Sequence, residues 1–235
     1  MGMSKLIAKI KKIPPFVKQK FLNLLYKIQL LRRKSVTKKQ IKRLQNRDFT
    51  LIANNCNGCV LLHELGIKFN SQFVNLAINP VDYIKYLSKF DYYNELDVTF
   101  IEDDSVPYPV GMIGDVRIDF VHYKSKEEAR AKWNERKKRL NPQNMFVMFT
   151  EQEKCTEECI RVFDELPFEN KVVFTCKEYN EIKSSVFVKR YFGNPKGVYM
   201  FLDFENRFSK KRCYDVFDFV SWFNGEKDLS KLMKE

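Results

Sequence analysis

The chain has 235 residues, 42 of them Lys or Arg against 30 Asp or Glu, and its 44% hydrophobic content, with 21 Phe, suits a folded protein with a real core. Residues 1–47 hold fifteen of the cations and no acid, so residues 48–235 carry 27 against 30 and the net charge of +12 belongs to an arm. That split disfavours a nucleic-acid-binding domain, which spreads cations over a folded face, and points to an anionic membrane surface as the partner of residues 1–47.

Within the arm, Pro14-Pro15 separates a short basic segment, 5–12, from a helix. Val17, Phe21, Leu24, Ile28 and Leu31 recur at alternating steps of four and three, one apolar stripe of that helix. Two outcomes fit it: the stripe lies in a lipid interface, or it packs on the body. No stretch approaches the ~20 apolar residues of a membrane span. The N-terminus lacks a cleavable signal pattern, and Leu6 breaks the myristoylation pattern after Gly2. The expected location is therefore cytoplasmic and peripheral on the inner face of the cell membrane, with six reduced cysteines.

After the arm, strand-like runs fall at 49–53, 73–78, 97–101, 115–122, 145–150, 172–176, 185–191 and 198–204. Helical segments are predicted at 58–65, 80–92, 126–140, 156–166 and 214–224. This alternation predicts an α/β fold of two α/β units, 48–142 and 143–235, preceded by the amphipathic helical arm of 1–47. The polar break at 141–144 sets the boundary.

The first strand leads into Asn54-Asn55-Cys56-Asn57-Gly58-Cys59 and then a helix. Backbone N–H groups at such a turn attract anions, and Asn side chains donate as well as accept. The plainer reading is an N-capped turn. Cys56 and Cys59 suggest redox chemistry, because a helix start lowers a thiol pKa. With His63 they share one helical face, but a fourth zinc ligand is missing. His63 itself has a pKa suited to a general base.

In the run 115–122, His122 falls on the face of Val116, Ile118 and Phe120, which predicts a core histidine. Asp115, Arg117 and Asp119 fall on the other face. Ser125 and Glu128 form a capping box for the next helix. That helix carries Arg136 and Arg139, an i, i+3 pair able to grip phosphate, and Trp133, which either stacks on a sugar or fills the core. The FGNPKG stretch, 192–197, reads as a turn between hairpin strands, and Asp203-Phe204-Glu205 as two carboxylates at a strand end. P-loop, GxGxxG and GxSxG motifs are absent from the sequence.

Three blocks, NNCNGCVLLHELGIKFNSQFVNL, YPVGMIGDVRIDFVHYKSKEEARAKWNERKKRLN and LPFENKVVF, resemble in order the signature of domain of unknown function 1919, a family of bacterial exopolysaccharide or capsule biosynthesis proteins. The similarity runs from about residue 51 to 224. It implies two α/β units, and it points to Asn54, Asn55, Cys56, Gly58, Pro109, Gly111, Asp115, His122, Tyr123, Trp133, Arg136, Arg139, Asn141, Asn170 and Lys171. The chain departs from the family pattern at Asn57 and Cys59, which weakens a CxxC or zinc reading.

The resemblance and the arm together imply a transferase moving a sugar or sugar phosphate to a glycan or lipid-linked acceptor. A nucleotide sugar would be the donor, with no metal assigned. Asn54, Asn55, Cys56, Gly58, His122, Tyr123, Trp133, Arg136 and Arg139 would bind substrate. His63 or Asp115 would be the base. Two alternatives stay open: an acyltransferase or other thiol enzyme using Cys56, and a non-enzymatic glycan-binding scaffold.

Overall fold

The computed structural model describes residues 14–234; the basic segment 5–12 and Gly2 lie outside them. Continuous apolar runs form the central sheet, as expected for strands buried on both faces. β1 (Thr50–Ala53), β5 (Met145–Thr150), β6 (Asn170–Thr175) and β7 (Ser185–Phe187) run parallel in the order β1-β5-β6-β7. β1 pairs with β5, Thr50 opposite Met145 and Ala53 opposite Met148, so this sheet takes one strand from before residue 142 and three from after it. A smaller antiparallel sheet joins β2 (Thr99–Ile101), β3 (Val110–Ile113) and β4 (Val116–Asp119). The fold is α/β.

The helices sort onto the two faces of the central sheet by strand parity. Leu51, Ala53, Phe146 and Met148 pack with Leu61, Leu62 and Leu65 of α2 (Asn57–Leu65) and with Trp222 and Phe223 of α7 (Phe219–Phe223). Ile52, Val147 and Phe149 pack on the other face. There they meet Tyr83 and Leu87 of α3 (Pro80–Ser88), Trp133 of α5 (Lys126–Lys137), and Ile160 and Phe163 of α6 (Glu157–Glu165). A short α4 (Phe90–Glu95) follows α3, because Lys89 leaves helical geometry at φ −131° and splits the helix expected over 80–92. α8 (Leu229–Leu232) closes the described chain.

Caps set the helix starts. Asn79 Oδ1 accepts from Asp82 N–H at 3.0 Å ahead of Pro80, Ser125 Oγ accepts from Glu128 N–H, and Thr156 Oγ1 accepts from Cys159 N–H.

Two expected strands differ. The run 73–78 is a loop with a single bridge, Ala77 to Asp119. The run 198–204 is also irregular, so FGNPKG joins no hairpin. It is a turn that lays Gly197 on the end of β5: Val198 N–H donates to the Glu151 carbonyl at 2.7 Å. Gly197 has φ +66°, and a Cβ there would stand 2.4 Å from the Glu151 oxygen, so only glycine fits.

The arm is α1 (Pro15–Arg43). Polar residues fasten it. Gln29 Nε2 donates to the Asn206 and Ser209 carbonyls at 2.8 and 3.1 Å. Arg33 is buried and donates to Glu64 at 2.9 Å and to Asp215 Oδ1 at 3.0 Å. Arg43 donates to Asp218 at 2.7 Å. The stripe residues Val17, Phe21, Leu24, Ile28 and Leu31 are all exposed. At 100° per residue, Gln29 lies ~120° around the helix from Val17. The stripe therefore does not pack on the body; a separate, polar face docks.

Candidate functional site

The loops after β1 and β5 leave on opposite faces of the sheet, α2 on one and α6 on the other. In α/β sheets such a divergence opens a crevice at the strands' C-terminal edge, where ligands bind. The Asn-rich turn sits there, but its side chains are engaged internally. Asn54 has no exposed surface. Its Nδ2 donates to the Thr150 carbonyl at 3.2 Å and to Gln152 Oε1 at 3.4 Å, and its Oδ1 accepts from Thr150 N–H at 3.1 Å. Asn55 Nδ2 donates to Asn54 Oδ1 at 3.3 Å, and Asn55 Oδ1 accepts from Asn57 N–H at 2.9 Å. Asn57 Nδ2 donates to Thr150 Oγ1 at 3.3 Å. These amides clamp β1 to β5 and stitch the start of α2. Gly58 lets α2 approach the sheet, since a Cβ there would lie 2.7 Å from the Ala53 Cβ.

Beside this clamp, Cys56 and Cys59 meet a polar cluster. Cys59 Sγ lies 3.2 Å from the Cys56 carbonyl and 3.4 Å from Asn75 Oδ1. Asn75 has φ +61°, a left-handed conformation that Asn tolerates. The neighbouring Cys56 thiol does most to lower the Cys59 pKa. Burial opposes it, and the Asn75 backbone and the Arg136 charge assist. Cys56 is pushed up, first by its hydrogen bond with Cys59 and then by burial. The pair thus gives up its first proton below the ordinary thiol range, with the charge on Cys59.

Arg136 Nη1 donates to the Tyr123 hydroxyl at 2.6 Å, and that hydroxyl donates to the Val74 carbonyl at 2.8 Å. The guanidinium stands 5.7 Å over the Phe69 ring and meets no carboxylate in an ion pair among the described residues. Arg139 is occupied: it donates to the Phe69 carbonyl at 3.3 Å and pairs with Glu135. One arginine of the expected pair is left to meet an anion.

The other expected site residues lie elsewhere. Trp133 is buried, tilted against Phe73 and edge-on to Phe120, so it is a core residue. His122 is exposed on a turn, because β4 ends at Asp119 and the alternation that predicted a core histidine stops there. His63 is exposed in the last turn of α2, about two turns from the helix start. Asp115 sits in the β3–β4 turn, held by the Tyr93 hydroxyl at 2.7 Å and Lys85 at 3.2 Å. The Ala77–Asp119 bridge and the Ile78 N–H to Asn54 carbonyl bond, 2.9 Å, place the Asn turn near the opposite end of β4, ~13 Å along the strand. The α2 start therefore lies away from Asp115, while the charge of Arg136 reaches Cys59 in the first turn of α2.

Several residues pointed to by the resemblance are structural. A Cβ on Gly111 would lie 2.7 Å from both Phe120 and Val98. Asn141 N–H donates to Thr50 Oγ1 at 2.8 Å. Asn170 Nδ2 donates to the Met145 carbonyl at 3.2 Å. Lys171 holds the Asp164 and Leu166 carbonyls. Asn75, Thr150 and Gln152 went unnoticed in the sequence. The only local signal was Asn75, a polar break inside the apolar run 73–78.

A protein of Haemophilus influenzae, described as an uncharacterized protein, is 41% identical over 183 residues, covering 78% of this chain and 87% of its own length. The profile of the domain of unknown function DUF1919 matches residues 27–224. The match opens inside α1, ahead of Gln29 and Arg33, and so takes in the docked part of the arm with the body. The chain belongs to the DUF1919 family.

Proposed function

We propose that this chain is a transferase of surface-polysaccharide synthesis working at the anionic inner face of the cell membrane. It would move a sugar or sugar phosphate from a nucleotide sugar to a glycan or lipid-linked acceptor. The observation that carries the membrane part is the arm: its polar face is fastened to the body, while its apolar stripe, with Lys20, Lys27 and Lys34 along one flank, stays open. The pathway rests on the family resemblance. Arg136 and the start of α2, beside the crevice, would hold the donor's phosphates. Asn54 and Asn55 would serve by fixing that edge, and Asp115 and His63 have no part in this arrangement.

The lowered pKa of Cys59 favours a second reading, a thiol-dependent acyl transfer at the same edge. Calorimetric titration of the whole protein with nucleotide sugars and acyl-coenzyme A, side by side, separates the readings. Nucleotide-sugar binding that Arg136→Ala removes supports the first. Acyl-coenzyme A binding alone replaces it with the second. Binding of neither sinks both and leaves a scaffold.

A further inference from the structure

A cleft of about 290 Å³ separates α1 from the body. Lys39 and Arg43 line it from the helix, and Lys210, Lys211 and Lys234 from the other side, with Asp215 as its one acid. Asp215 is already engaged by Arg33 through both carboxylate oxygens. Arg43 and Lys234 share Asp218, at 2.7 and 3.4 Å. Lys39, Lys210 and Lys211 form no ion pair among the described residues. Three exposed lysines without an ion-pair partner thus line one cleft. Gathering like charge in this way costs stability unless an anion enters.

We propose that this cleft is a binding site for a phosphate group. Several ammonium donors around one cavity match an anion with three or more acceptor oxygens, and each acts as a point charge that needs no bidentate geometry. Two sources offer this chemistry: the headgroup of an anionic lipid and a free phosphate or pyrophosphate. The cleft's position suits the first. Lys39 lies 22 residues beyond Val17, ~40° around the helix, on the same side as the exposed stripe. The inference does not depend on the transferase reading or on the Arg136 edge.

The test is calorimetric titration of the full chain with pyrophosphate, against Lys210→Ala/Lys211→Ala and against Lys20→Ala/Lys27→Ala. The first pair should weaken binding about 30-fold, taking each lysine near an anionic group at its usual surface value. The second pair, on the stripe's flank, should leave pyrophosphate affinity unchanged. Pyrophosphate should raise the thermal midpoint of the wild type and not that of Lys210→Ala/Lys211→Ala. Equal affinity in the wild type and that variant, or no saturable binding to the wild type, overturns the proposal. Vesicles of phosphatidylcholine with phosphatidic acid then identify the source. Displacement of the protein from them by pyrophosphate assigns a headgroup; pyrophosphate binding by vesicle-bound protein assigns a free phosphate.

Discussion

Arg33 on α1 and Glu64 on α2 meet at 2.9 Å between Nε and Oε2, with side chains only 3% and 11% exposed. Arg33 turns its other nitrogens to Asp215 and the Tyr214 hydroxyl, while Glu64 also accepts from Arg212 Nε at 2.6 Å. Five polar side chains thus satisfy one another where α1 joins the body. Removing one member leaves an uncompensated buried charge, which costs more than the intact pair contributes. Arg33→Ala should therefore lower stability by ~3–5 kcal/mol. Urea unfolding checks this; a loss below ~1 kcal/mol would mean the cluster is hydrated and ordinary.

The same cluster sets an acid limit. Burial alone would raise the Glu64 carboxyl, but the Tyr214 hydroxyl and the charges of Arg33 and Arg212 overcome it and hold the pKa below its ordinary value. A carboxyl lowered in the folded state stabilises fully above its unfolded pKa, ~4.3, and loses that contribution as pH falls through the folded value. Unfolding midpoints should be steady above pH ~4.5 and fall below it. Glu64→Gln should start lower and flatten that acid limb.

The exposed stripe should matter to binding and not to folding. Phe21→Ser/Leu24→Ser/Ile28→Ser changes side chains that are open to solvent. Each should shift stability by no more than ~0.5 kcal/mol, while co-sedimentation with anionic vesicles falls at least tenfold. Vesicle binding unchanged in the triple variant would remove the stripe from the interface.

Asn54→Ala should destabilise the fold directly. It removes the two bonds that the Asn54 amide makes to the Thr150 backbone and leaves the Thr150 N–H buried without an acceptor, at ~1–3 kcal/mol. Chemical denaturation should show the loss, and a variant as stable as wild type would mean that the amide can be replaced by water.

The thiols offer a pH test. Reaction with a small alkylating reagent should have a midpoint below the ordinary ~8.5 of a free thiol. Arg136→Ala withdraws a cation that favours the Cys59 thiolate, so the midpoint should move up. If it stays still, Arg136 is too screened to act on the pair.

Most of the central sheet was legible, because runs such as 145–149 are apolar at every position and strands buried on both faces need no alternation. The small sheet was half legible. β3 escaped notice since Gly111 interrupts a four-residue run, yet that glycine is what lets Phe120 pack against it. The runs 73–78 and 198–204 carry apolar residues for core contacts made by loops, and composition does not separate such loops from strands. At the site, the chemistry of Asn54 was readable but its partners were not. Thr150 lies 96 residues away, and whether an amide faces ligand or backbone is decided by that distant strand. Arg33 looked like any arm cation, since its acids lie 31 and 182 positions later.

The hydrogen bonds of Gln29, Arg32, Arg33 and Arg43 to residues 206–218 span 175 to 182 positions. During synthesis at ~5–20 residues per second, the helix leaves the ribosome roughly 10–35 s before those partners exist. For that interval the polar face lacks every partner except Glu64, and the apolar stripe is open. The nascent chain is then a bare basic amphipath, free to choose a surface before it has a body to carry. Docking onto residues 206–218 comes last, so the order of emergence leaves those contacts to be made once nearly all of the body has been synthesised.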